Sequence, residues 1–195
     1  MRSLSRVGTS RGLRPGPVLP VRSLTWAAML IALSVVLTRI GSVRIAFGAV
    51  EAIRIGFGAL PILLAGVAGG PGLGFLVGAA ADAVGYGLNP MGAYVPLITL
   101  SSGLLGLIPG LVMRSGAGRP ITLGRVALAV GAAQALVGIF LTPWFLHLSF
   151  GIPYAVLIPP RLVAKPIEIV LFTIIVHMVA VPLVRRGLLP ATTGR

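Results

Sequence analysis

Ala59-Leu-Pro-Ile-Leu-Leu-Ala-Gly-Val-Ala-Gly69 runs through Gly70-Pro71-Gly72 into Leu73-Gly-Phe-Leu-Val-Gly-Ala-Ala-Ala-Asp82-Ala-Val-Gly-Tyr-Gly-Leu88. This segment holds two apolar runs, a Gly-Pro-Gly break between them and a single charged side chain, Asp82. Gly and Pro at the break stop one helix and start another. Inside lipid a backbone can satisfy its polar groups only with itself, so both runs read as short membrane helices joined by a tight turn.

Working outward, similar apolar runs cover Thr25 to Thr38, Tyr94 to Met113, Val126 to Leu141 and Leu162 to Val184. With the central pair they predict an all-α integral membrane protein, a bundle of six transmembrane helices. The first run has the length of a signal-peptide core, but no Ala-x-Ala cleavage site follows and more apolar segments do, so it reads as a membrane helix. Between the first and second helices, Arg39 to Gly58 contains a repeat, Arg44-Ile-Ala-Phe-Gly48 and Arg54-Ile-Gly-Phe-Gly58, at an offset of ten. Its alternation suits short extended segments, and this stretch is expected to be an irregular external lid loop. Asn89-Pro90-Met91-Gly92 reads as a turn, and the aromatic, Pro-rich Pro143 to Pro160 as a connection between the last two spans. The domain is expected over 23–186, with a disordered basic tail at 1–22 and a second tail at 187–195.

Composition supports this. The chain has 195 residues, 56% of them hydrophobic and 10% charged, with a mean hydropathy of +1.04. Its formal net charge is nevertheless +13. The basic residues are separated by long apolar runs rather than gathered on a polar face, which excludes a nucleic-acid binder. The absence of cysteine excludes disulfides, thiolate metal sites and cysteine nucleophiles. The single lysine, Lys165, follows Val163-Ala164, so no phosphate-binding Gly-Lys-Ser/Thr motif exists and any ATP hydrolysis must occur on another subunit.

Six spans put both termini on one side, together with eleven of the sixteen basic residues: five in the first tail, Arg114, Arg119 and Arg125, and Arg185, Arg186 and Arg195. By the positive-inside rule that side is cytoplasmic, in a multi-pass protein of the cell membrane. Arg39, Arg44, Arg54, Arg161 and Lys165 fall on the other side. Each alone reads as a cation snorkelling to the interface. Five converging from distant parts of the chain suit an external pocket for an anion, because charge at membrane depth costs roughly 2.5–3.5 kcal/mol per residue and marks ligand pathways. Glu51 and Glu168 can neutralise part of the cluster. Arg161, Lys165 and Glu168 share one helix face, which is compatible both with a salt-bridge ladder and with a binding surface.

Gly70, Gly74 and Gly78, with Ser102, Gly106 and Gly110, form stripes of small residues that let helices approach closely. Ala28 and Ala32 repeat the signal in the first span. Asp82, the only acid deep in a span, is either a structural partner for Asn89, an Arg or a backbone group, or an acceptor for a ligand. Protease readings lack support: His147 and His177 are far apart, there is no Gly-x-Ser-x-Gly, and Asp82 has no matching carboxylate. No metal motif and no cofactor motif is found, and no catalytic residue is assigned.

Several motifs in order carry a family resemblance: Ile53-Arg-Ile-Gly-Phe-Gly-Ala-Leu-Pro61, Gly70-Pro71-x-x-Gly74, Gly78-Ala-Ala-Ala-Asp82, Gly92-Ala-Tyr-Val-Pro96, and Ile158-Pro-Pro-Arg161-Leu with Lys165-Pro166. From about residue 25 to 185 the chain resembles the substrate-binding S components of energy-coupling-factor (ECF) vitamin transporters, most of all the folate type. The resemblance implies six membrane helices, a vitamin bound near the external face under the first loop, and three partner subunits. These are a membrane scaffold, contacted through Ala28 and Ala32, and two ABC-type ATPases. It further implies that the whole subunit tips over in the membrane to deliver its vitamin.

Folate suits the residues. Its glutamate carries two carboxylates that Arg grips bidentately, and its pterin ring takes aromatic stacking and hydrogen bonds. Arg39, Arg54, Arg161 and Lys165 are expected to serve the charged or pterin ends, and Phe47, Phe57, Tyr94 and Trp144 to supply ring faces, with Asp82 as an acceptor. Arg39, Arg54 and Arg161 match arginines of the family pattern. Pro143-Trp144 departs from the folate-type pattern in the fifth helix, and Glu51 adds a negative charge to the lid. Riboflavin is the nearest rival ligand, and biotin or pantothenate would also use the cations.

Overall fold

Helix α1 spans Val21–Ile40, α2 Ala59–Gly69, α3 Pro71–Leu88 and α4 Pro96–Arg114. A fifth helix, α5, runs over Leu123–Phe150, and α6 over Tyr154–Arg185. These six cross the membrane as one antiparallel bundle. The computed structural model describes residues 21–40, 42–47, 50–88, 90, 94–116 and 120–186, with the backbone path alone over the lid up to residue 55. The expected tails fall outside these residues but for Val21, Arg22 and, on the domain's last turn, Arg186, as does the Asn89–Gly92 turn apart from Pro90.

The lid is more regular than its sequence suggested. Ser42–Phe47 (β1) pairs antiparallel with Val50–Gly56 (β2), with an irregularity between Ile45 and Ala46. The two arginines of the repeat, Arg44 and Arg54, stand opposite each other in the ladder. The reason is backbone satisfaction: a strand pair supplies the hydrogen bonds that an irregular loop at the membrane edge would lack.

The helix limits also differ from the expected ones. The fifth span continues through Pro143 to Phe150, and the sixth begins at Tyr154 and passes through Pro159, Pro160 and Pro166. Only residues 151–153 connect them. Gly151 closes α5 with φ of 66°, and His147 Nδ1 donates to the Ile152 carbonyl at 2.9 Å. Proline is tolerated in these helices because neighbours re-satisfy the freed carbonyls, whereas leaving the helix would expose more backbone to lipid.

At 11 residues, α2 is about 16 Å long and too short to cross by itself. It survives by lying inside the bundle, with Pro61, Ile62, Leu63, Ala65, Gly66, Val67 and Ala68 all buried. One apolar cluster joins its Ile62 and Ala65 to Ala27 and Leu30 of α1 and Leu73 and Val77 of α3. A second joins Leu63 and Val67 to Val126 and Val130 of α5 and Phe172 and Val176 of α6. Between the two short helices Gly70 turns the chain at φ of 89°.

The small-residue stripes of α3 and α4 meet face to face. A Cβ on Gly74 would lie 2.2 Å from the Gly106 carbonyl oxygen, one on Gly106 2.1 Å from that of Gly74, and one on Gly78 2.0 Å from that of Ser102. Backbone touches backbone along this crossing, the device lipid-embedded helices use in place of water exclusion. By contrast Met29, Leu33 and Val36 on α1, Leu136 and Phe140 on α5, and Val170 and Met178 on α6 are exposed, as lipid-facing residues should be. The bundle opens towards the hairpin, and polar residues line the opening.

Candidate substrate-binding site

Two adjoining cavities occupy the hairpin end, of about 600 Å³ and 820 Å³. They share Thr38, Gly58, Ala59, Ile98, Ser102 and Leu105 as a common wall. The first lies between α5 and α6 and the second between α1, α3 and α4. Gly58 lets α1 close on the wall: Ser34 Oγ donates to its carbonyl at 2.7 Å, and a Cβ there would meet Thr38 Oγ1.

In the first lobe α5 changes its winding. Gln134–Leu141 is a π-helix, which turns Gln134, Val137, Gly138 and Thr142 into the cavity. The backbone N–H of Thr142 bonds to Val137, five residues back. The next bond of that pattern would run from residue 143 to the Gly138 carbonyl, but residue 143 is proline and has no N–H. Arg161 of α6 fills the vacancy, its Nη1 donating to the Gly138 carbonyl at 2.9 Å. The orphaned acceptor thus holds the guanidinium at the lobe. Pro143 is part of the reason Arg161 stands where it does.

Two turns further on, Glu168 is only 2% exposed. It pairs with Lys165 and accepts from Gln134 Nε2 at 3.2 Å, while Lys165 Nζ also reaches Gln134 Oε1 at 3.4 Å. The ladder expected on α6 therefore forms between Lys165 and Glu168, while Arg161 turns to a neutral carbonyl. Among the described residues two cations and one carboxylate line this lobe, a balance of one positive charge. Gly138 leaves room for the lysine stem, since a Cβ there would come within 2.9 Å of Lys165 Cε.

The second lobe has a different chemistry. Asp82 Oδ2 accepts from Thr99 Oγ1 at 2.6 Å and Oδ1 from Ser102 Oγ at 3.4 Å. Tyr94 bonds Thr99 through its hydroxyl at 2.8 Å; because the Thr99 hydrogen is already directed at Asp82, Tyr94 donates. The rings of Tyr86 and Tyr94 lie 5.0 Å apart on this wall. Arg39 also lines the lobe, its Nη2 donating to the Gly85 carbonyl near the end of α3 at 2.7 Å.

Of the residues expected at the site, Arg161 and Lys165 line the first lobe and Arg39, Asp82 and Tyr94 the second. Phe57 instead packs on Phe172 of the core, ring centroids 6.1 Å apart. Trp144 is 53% exposed and stacked on Phe145, outside the lining of both lobes. Pro143 beside it is buried, so the helix turns the indole outwards. The side chains of Phe47 and Arg54 lie outside the described residues. Sequence reasoning missed Gln134, Gly138, Thr99 and Tyr86. Gln134 carried a usable signal, as an amide inside an apolar span, while the rest needed the helix winding and the α3–α4 crossing.

A family model for the ECF-type riboflavin transporter, S component, matches residues 18–185. The chain belongs to this family. Among curated relatives, the folate transporter FolT of Clostridium novyi (strain NT) is 32% identical over 162 residues, 80% of this S component and 87% of that protein. A crystal structure of FolT bound with folic acid superposes with a TM-score of 0.69 at 30% identity, covering 84% of this chain and 97% of that one. The structure of the S component of another bacterial ECF transporter shares the fold, with a TM-score of 0.58 at 23% identity over 86% of this chain and 95% of its own. The family is one of transport subunits, and the membrane bundle described above is its fold.

Proposed function

We propose that this S component binds a folate at the hairpin end of the bundle and delivers it inward with the help of a scaffold subunit and two ABC-type ATPases. The observation that carries the ligand is the pair of adjoining lobes of unlike chemistry. One end is cationic through Arg161, and the other offers tyrosine rings and a carboxylate acceptor. An elongated ligand with carboxylates at one end and a hydrogen-bonding heterocycle at the other fills both. Folate has that form, and the FolT relative and the folate-bound FolT structure support it. The strands carrying Phe47 and Arg54 would cover the cavity as a lid. Lys165 acts with Glu168, as a pair that leaves Arg161 to face the ligand's charge.

The same reading puts the terminal end in the cytoplasm. Arg114 and Arg125 lie there with Arg185 and Arg186, as the positive-inside rule favours. Ala28 and Ala32 are exposed on α1 and available for the scaffold, and a chain without a phosphate-binding loop needs partner ATPases. Residues 1–22 and 187–195 are read as cytoplasmic tails flanking the membrane domain.

A binding screen of the purified full chain against folate, riboflavin, biotin and pantothenate tests the assignment. Saturable one-to-one binding of folate is expected. If riboflavin co-purifies as a yellow chromophore and folate shows no saturable binding, the folate assignment fails while the family stands.

A further inference from the structure

The second lobe holds a carboxylate whose partners do not complete it. An ionised carboxylate has about four acceptor positions, and among the described residues Asp82 is hydrogen-bonded by the two hydroxyls of Thr99 and Ser102. The cation nearest in the lining, Arg39, is directed at the Gly85 carbonyl. An acidic side chain inside a span, without an ionic partner among the described residues, is costly to keep and marks a functional position. The chain from Tyr94 through Thr99 fixes the orientation of this carboxylate, and it comes to the cavity with Tyr86 and Tyr94 on the same wall.

We infer that Asp82 reads the 2-amino-4-oxopyrimidine edge of the ligand and is the residue that separates pterins from flavins. This rests on the folate reading above and deepens it. A pterin presents two neighbouring donors, the 2-amino group and N3–H, in the parallel geometry that a carboxylate accepts with both oxygens. The corresponding flavin edge presents N3–H between two carbonyl oxygens, so at least one oxygen would face the carboxylate and repel it. The tyrosine rings offer a face to the fused heterocycle. Arg161, in the other lobe, is left for the glutamate carboxylates. The ligand therefore lies with its pterin in the lobe bounded by α1, α3 and α4 and its acidic end towards α5 and α6.

The test is a cycle of two proteins and two ligands. Folate and an analogue with its 2-amino group replaced by methyl are titrated into the purified full chain and into Asp82→Asn. The wild type should bind folate more tightly than the analogue by about tenfold or more, the scale of one charge-assisted hydrogen bond. Asp82→Asn should bind folate about tenfold more weakly and lose most of the discrimination. Equal binding of both ligands by the wild type overturns the role of Asp82 without needing any variant to fold. Undiminished discrimination in Asp82→Asn overturns it as well. A wild type that binds neither ligand refutes the folate reading itself, an outcome distinct from the other two.

Discussion

Removing the ammonium of Lys165 while keeping its stem, as in Lys165→Met, would leave Glu168 in the bundle with Gln134 as its one hydrogen-bond partner among the described residues. Glu168 is 2% exposed, so water cannot replace the lost cation. Breaking a buried pair by removing one partner costs about 3–5 kcal/mol, because the remaining charge is uncompensated. For a chain of this size each kcal/mol moves the melting temperature by roughly 2–4 °C, so a fall of about 6–20 °C is expected. The double variant Lys165→Met/Glu168→Gln removes both charges and leaves a neutral side chain that still accepts from Gln134. Replacing a whole buried pair is often neutral or stabilising, and this variant should melt within about 4 °C of the wild type. Thermal denaturation followed by size-exclusion chromatography in a single detergent, without ligand, measures all three proteins. A double variant as unstable as Lys165→Met would refute the argument from uncompensated charge. So would a single variant that melts with the wild type. Both charges leave together in the double variant, so the lobe keeps its net charge and affinity for an anionic ligand should change only a few-fold.

Three further outcomes are expected. Pro143→Ala returns an N–H that competes with Arg161 for the Gly138 carbonyl, so the protein should melt higher while folate binds about 2- to 10-fold more weakly in calorimetric titration. Gly106→Ala drives a Cβ into the Gly74 carbonyl and should cost about 1–3 kcal/mol in denaturant-induced unfolding. Gly72→Ala, which meets nothing within 4 Å, should be neutral. Replacing Ala28 and Ala32 by leucine should abolish co-purification with a scaffold subunit while leaving ligand affinity unchanged, since both alanines are exposed on α1 and line neither lobe.

Much of the fold was legible because lipid makes composition decisive. Six apolar runs and the side on which the arginines fall leave few arrangements, and the glycine stripes announce close crossings before any partner is known. The sequence also pointed to Arg39, Asp82, Tyr94, Arg161 and Lys165, which the fold brings to the walls of the two lobes, since polar groups at membrane depth are rare enough to stand out. Other features were not legible. A π-turn in α5 has no reliable sequence mark, and the prolines at 143, 159 and 160 read as a break although the helices pass through them. The same ambiguity applies to Trp144, expected at the ligand and found exposed outside the linings of the two lobes, because the side of a helix that a residue faces depends on its winding.

Sequence by itself determined that this is a membrane bundle with cations left over at one end, because the free energy of transfer into lipid acts on each residue almost independently of its neighbours. Only the tertiary structure decided what those cations do. Lys165 is taken by Glu168, Arg161 by a carbonyl that Pro143 leaves unpaired, and Arg39 by the end of α3. Those partnerships join groups up to 46 residues apart in the chain. Hydrogen bonds act over about 3 Å in space, and which groups come that close is set by how the helices pack.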